Sequence, residues 1–195
     1  EEQWAFYRWM YCRLVEDVEL QIGRVLSALE KSGLTDNTII VFTSDHGEMD
    51  QSHGLVFKSQ LLEEATRTPL IISGPQIREN VVDAKNLTCG IDLVPTICDL
   101  AGISIPKNLS GKSLKPILTG KANKIDRDFI IVESSTGYQI NDGRYKYTIF
   151  TRGNKKESLM DILNDPGEMS DKSTDPAYAA IKERLHCALM KKIKK

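Results

Sequence analysis

The chain has 195 residues, of which 41% are hydrophobic and 27% charged, and its 26 Lys and Arg face 27 Asp and Glu for a net charge of -1. At roughly 150 residues per domain this is one domain with an appendage or two small ones, and the composition excludes a disordered or collagen-like chain. No apolar run approaches the roughly 18 residues of a membrane-spanning helix, and a near-neutral chain carries no global field to draw nucleic acid or an anionic membrane. Cys12, Cys89, Cys98 and Cys187 are scattered with no C-x-x-C spacing, which points to buried free thiols rather than a zinc site or a disulfide framework.

In chain order, Trp4, Tyr7, Tyr11, Leu14, Val18, Ile22, Val25 and Leu29 recur at spacings of 3 and 4, predicting one long amphipathic helix ended by Gly33. The start Glu1-Glu2-Gln3-Trp4 has neither a basic n-region nor an apolar h-region, as expected of a chain that opens in mid-protein. After Thr35-Asp36-Asn37 the run over 39–43 is continuously apolar and β-branched, as in a strand of a parallel sheet covered on both faces. A polar stretch leads to a short helix over 59–67 and a second buried strand over 69–73, stopped by Gly74-Pro75. Asp92 reads as the N-cap of a helix over 93–101 with Gly102 beyond its end, and Gly111 and Gly120 bracket another short helix.

From Arg127 the pattern changes. Phe129-Ile130-Ile131-Val132, Tyr138-Gln139-Ile140 and the run over 145–150 are β-rich and joined by turn formers, predicting an antiparallel meander. Asp175-Pro176 caps a final helix with Tyr178, Ile181, Leu185 and Leu189 on one face, and Lys191, Lys192, Lys194 and Lys195 sit where the helix dipole favours cations. The expected division is an α/β part over 1–125 and a small antiparallel subdomain with its terminal helix over 126–195.

Chemistry concentrates in Thr43-Ser44-Asp45-His46-Gly47-Glu48, which sets a carboxylate and an imidazole at the C-terminal end of a buried strand, where ligand sites of α/β sheets lie. Adjacent Asp and His reach one cation only through a turn, for which Gly47 supplies backbone freedom; the competing reading is a turn in which Asp45 caps backbone amides. Two donors do not complete a metal site. Lys58, twelve residues beyond His46, would offer a point charge to an anionic substrate or to a leaving oxygen, or is a solvated surface lysine. His53 is a loop histidine, a proton donor or a substrate contact. Arg67 is expected to pair with Glu63 or Glu64.

The stretch Asp36-Asn37-Thr38-Ile39-Ile40-Val41-Phe42-Thr43-Ser44-Asp45-His46-Gly47-Glu48 closely resembles the corresponding part of the sulfatase family. Later motifs agree in order: His53-Gly54-Leu55 with Lys58, Glu63-Glu64 through Arg67, Asp92-Leu93-Val94-Pro95-Thr96, Gly111-Lys112-Ser113-Leu114, Gly143-Arg144-Tyr145-Lys146-Tyr147, and Met160-Asp161-Ile162 followed by Asp165-Pro166-Gly167-Glu168. The resemblance implies the C-terminal part of an alkaline-phosphatase-like α/β hydrolase, with part of a mixed or parallel sheet flanked by helices and then the small antiparallel subdomain. It implies Asp45 and His46 as ligands of a divalent metal, usually calcium, Lys58 as a contact to the sulfate or its bridging oxygen, and His53 in a substrate-side loop. The implied substrate is a sulfated small molecule or glycan, and the implied compartment is periplasmic, secreted or lysosomal.

One departure matters. The family's nucleophile is a formylglycine made in a C/S-x-P/A-x-R motif; no cysteine here has that context, and Ser104-Ile105-Pro106-Lys107-Asn108 lacks the arginine. The chain is therefore expected to be a fragment whose partner is the missing N-terminal half of the same protein, without sulfatase activity and with weak metal affinity on its own. Phosphonate or phosphodiester hydrolases of the same superfamily share the Asp-His-Gly motif, and a non-catalytic binding module is the further alternative.

Overall fold

A computed structural model describes residues 2–193; Glu1 and the terminal Lys194 and Lys195, two of the four cations assigned to the helix end, lie outside the described residues. The opening period forms α1 (Glu2–Lys31), with an acid in its first turn and Lys31 in its last, as the helix dipole favours. Gly33 follows with φ 69°. The expected apolar face is present but uncovered: no residue of α1 is buried, and Trp4, Leu14, Val18 and Val25 are exposed. Tyr7 Oη donates to Glu48 Oε1 at 3.4 Å, and the Arg8 guanidinium donates to Asp50 O at 3.2 and 3.3 Å, so α1 is tied to the site loop described below.

β1 (Ile40–Thr43) and β2 (Leu70–Ser73) pair antiparallel, Ile40 opposite Ser73 and Thr43 opposite Leu70. This corrects the expected strand direction, since the pair is antiparallel; Phe42 and Ile71 are exposed. A continuous apolar run records how much of a strand can be buried but not the direction of its neighbour. No parallel pairing occurs among the described residues.

The helix expected over 59–67 contracts to α2 (Glu63–Thr66). α3 (Leu93–Leu100) ends as predicted: Gly102 has φ 72°, Ile103 N donates to Cys98 O and Gly102 N to Asp99 O, the paired bonds of a Schellman close. Between Gly111 and Gly120 only α4 (Lys115–Leu118) is helical. Asp92 does not cap α3 with its side chain. It is wholly buried and accepts from Arg127 Nη1 and Nη2 at 2.6 Å each, from Lys112 N at 2.8 Å and from Cys89 N at 2.9 Å. A cap at the surface would leave Arg127 uncompensated in the interior, and that charge decides the pairing.

The meander has four strands, not three: β3 (Ile130–Ser134), β4 (Gly137–Asn141), β5 (Tyr145–Phe150) and β6 (Glu157–Asp161), antiparallel in that order. Glu-Ser-Leu-Met-Asp has weak strand propensity, so β6 is set by pairing with β5 rather than by its own composition. α5 (Ala179–Ile193) follows a tight turn at Pro176–Tyr178, where Asp175 accepts from Ala177 N at 2.9 Å. Leu185 and Leu189 pack on Ile140, Tyr147 and Leu159, all essentially without solvent contact, and each leucine so buried contributes about 1.5–3 kcal/mol. A second cluster, Leu114, Ile117 and Ile125, packs with Leu70, Ile72 and Leu118. The thiols are free, but none is buried: Cys12 and Cys187 are exposed on α1 and α5, Cys89 and Cys98 half-buried.

Candidate functional site at the end of the first strand

Past Thr43 the chain turns sharply. Ser44 Oγ donates to His46 O at 2.7 Å, and His46 N donates to Asp45 Oδ1 at 3.0 Å. Asp45 therefore does cap an amide, yet its second oxygen is left over. Asp45 Oδ2 lies 3.3 Å from His46 Nε2, with 82% of the Asp45 side chain open to solvent. Slight burial would raise the Asp45 carboxyl, but the His46 ring, the amides of His46 and Asp45 and the charge of Lys58 outweigh it and hold the group below its ordinary value. Lys58 itself is exposed.

The turn is held from behind. Gly47 N donates to Ala65 O at 2.9 Å, and a Cβ on Gly47 would stand 1.8 Å from Glu64 O. Glycine is required here by the close approach of α2, not by the backbone freedom the motif suggests. Beyond it, Asp50, Gln51, His53 and Phe57 take positive φ of 38°, 73°, 56° and 67°. Such non-glycine conformations cost about 1–3 kcal/mol each and persist only where surroundings enforce them. Glu48 supplies that enforcement: its Oε1 accepts from Phe57 N at 2.5 Å, beside Met49 N donating to Phe57 O at 3.0 Å, and Met49 is fully buried.

The His53 side chain is largely covered, with Nε2 3.7 Å from Glu64 Oε1, beyond hydrogen-bond distance. Arg67 pairs with Glu63 as expected, at 3.9 Å and largely in solvent. Spacing gave no sign of Lys146. Its ammonium, 1% exposed, lies 3.0 Å from Glu63 Oε1 and 2.8 Å from Glu168 Oε1, and Glu168 Oε2 accepts from Glu63 N at 2.6 Å. These partners are 83 and 105 residues apart along the chain, beyond the reach of any local pattern.

The donor chemistry at Asp45 and His46 fits a cation. His46 Nδ1 lies 2.8 Å from Gly47 O, a carbonyl that only an Nδ1–H can approach favourably. If the ring is neutral, Nε2 presents its lone pair to Asp45 Oδ2, and the two donors suit a shared positive charge, whether a proton on the ring or a metal ion. Oxygen and nitrogen donors about 2.3–2.4 Å from one ion and at right angles to each other are about 3.3 Å apart. No group of three or more His, Cys, Asp or Glu able to hold a metal occurs among the described residues, so Asp45 and His46 do not by themselves make a complete metal site.

The family model for the C-terminal part of N-sulphoglucosamine sulphohydrolase matches residues 51–195. The chain belongs to the sulfatase family. A Delta 4,5-hexuronate-2-O-sulfatase of Bacteroides thetaiotaomicron is 34% identical over 192 residues, covering 93% of this chain and 40% of that protein. Among solved structures, a 2-O GAG sulfatase superposes with TM-score 0.81 at 36% identity, covering 89% of this chain and 40% of its own. A phosphonate monoester hydrolase from Silicibacter pomeroyi superposes with TM-score 0.79 at 32% identity, covering 89% and 38%. The chain thus spans about two-fifths of the length of these sulfatase-fold relatives. No helix among the described residues is long and apolar enough to cross a membrane.

Proposed function

We propose that this chain is the C-terminal part of a sulfatase, a hydrolase of sulfuric esters, and that Asp45, His46, Lys58 and His53 form its share of the active site. The observation that carries the reading is the apposition of Asp45 Oδ2 and His46 Nε2 at 3.3 Å, with Nδ1 committed to Gly47 O. Asp45 and His46 would hold a divalent cation, with calcium as the expected ion; when bound it supplies Lewis-acid polarisation and a template for the anionic ester. Lys58, open to solvent with its charge acting on Asp45, would offer an ammonium to the ester oxygens and offset charge on the leaving oxygen. His53, with Nε2 3.7 Å from Glu64 Oε1, would serve as the proton donor or acceptor toward the substrate.

The nucleophile, expected as a formylglycine, and the remaining ligands belong to sequence outside these 195 residues. The uncovered apolar side chains of α1, with Phe42 and Ile71, suit that part of the protein as their cover. The substrate class is a sulfated saccharide, by analogy with the hexuronate sulfatase relative. A second reading, phosphonate monoester hydrolysis, is favoured by the superposition on such an enzyme. Assay of the complete protein on an aryl sulfate and an aryl phosphonate side by side separates the two: preferential sulfate turnover supports the first, and preferential phosphonate turnover replaces it with the second.

A further inference from the structure

Lys58 is followed by residues 59–62, which form no regular element and are bound at Ser59 and Leu61 by the C-terminal meander. Thr136 Oγ1 donates to Ser59 O at 3.1 Å. The buried Gln139 amide donates to Leu61 O. Glu63 N donates to Glu168 Oε2, and the Glu63 carboxylate meets Lys146 Nζ. α2 in turn lies against the candidate site: Ala65 O accepts from Gly47 N at 2.9 Å, and Glu64 Oε1 lies 3.7 Å from His53 Nε2.

From this we infer that Lys146 is a positioning residue for the hydrolytic site: its ammonium, held between Glu63 and Glu168, fixes α2 and the segment that sets Lys58 and His53. Two carboxylates converge on one buried cation. Without that cation they repel each other across a largely dehydrated site, and Glu63, partly open to solvent, is the partner able to move because its side chain also reaches the exposed Arg67. Lys146 touches no reacting atom. Its effect travels through α2 alone, and displacement of a reacting group by about 1 Å costs roughly 10²-fold in rate. The inference rests on the sulfatase reading of Lys58.

The test is a double-mutant cycle in the complete protein with Lys58→Ala and Lys146→Met, reading kcat on an aryl sulfate per folded molecule. Lys146→Met is expected to lower kcat by roughly 10²-fold in the parent and by a clearly smaller factor once Lys58 is alanine, because the share of its effect carried by Lys58 is then already removed while that on His53 remains. Lys146→Arg, which keeps the charge, is expected to restore most of the loss. Equal losses in both backgrounds overturn the inference and leave Lys146 as general stability. If Lys146→Met does not fold, Glu168→Gln enters the same cycle. Hydrogen exchange gives an arm independent of turnover: faster exchange over 59–67 with β3 to β5 unchanged supports the inference, and unchanged exchange over 59–67 overturns it. If Lys58→Ala leaves turnover intact, the sulfatase assignment of Lys58 fails instead, and the exchange arm still decides whether Lys146 fixes the segment.

Discussion

Replacing Asp92 by asparagine removes one charge and almost no volume at the most completely satisfied carboxylate of the chain. Asp92 is inaccessible to water and accepts four N–H bonds of 2.6 to 2.9 Å, two from an Arg127 that is itself only 8% exposed. Asparagine leaves the guanidinium uncompensated and turns an amide NH2 toward other donors, and breaking a buried pair from one side costs about 3–5 kcal/mol. Burial would raise the Asp92 carboxyl, but Arg127 and the amides of Lys112 and Cys89 outweigh it and hold the group below its ordinary value. A carboxyl lowered in the folded state stabilises fully above its unfolded value of about 3.9, and that contribution is lost as the pH falls through the folded value. Urea unfolding at neutral pH should therefore place Asp92→Asn about 4 kcal/mol below the parent at equal m-value, and the gap should narrow below about pH 4. A deficit under about 1 kcal/mol, within the range of exposed pairs, or a gap that stays constant into acid, refutes the assignment of Asp92 and Arg127 as a buried pair.

Gly47→Ala would put a Cβ 1.8 Å from Glu64 O, so the Asp45-His46 turn and α2 must part; overpacking of this kind costs about 1–3 kcal/mol, and turnover of the complete protein should fall further than Tm suggests. Leu185→Ala, at a position without solvent contact against Ile140, Tyr147 and Leu159, should cost about 2–5 kcal/mol in urea unfolding while leaving kcat on an aryl sulfate unchanged, since no Leu185 contact reaches the site.

Local signals survived where one segment decides its own state. The 3 and 4 spacing of α1, Gly102 beyond α3 and Asp175-Pro176 before α5 each describe backbone bonds closed within a few residues, and each was legible. Strand direction was not, because β1 and β2 are fixed by each other and by what covers them. The Asp45-His46 pair could be read because adjacent residues at a strand end must turn together. The reason for Gly47 was legible only once α2 lay against it, and Asp92 was misassigned because its partner stands 35 residues away. Lys146 and Glu168 lie in stretches that match the family, but nothing in those stretches, or around Gln139, shows that they meet Glu63 and Leu61. Their link to Lys58 is made by the fold.

Calcium titration of the complete protein by calorimetry, comparing the parent with Asp45→Asn and His46→Gln, bears most directly on the site. Loss of either donor should weaken calcium binding by about tenfold or more, with each variant keeping the parent's unfolding midpoint in the presence of chelator. Calcium affinity unchanged in both variants would mean that the 3.3 Å pair holds no cation, and the hydrolytic reading of this strand end would fall with it.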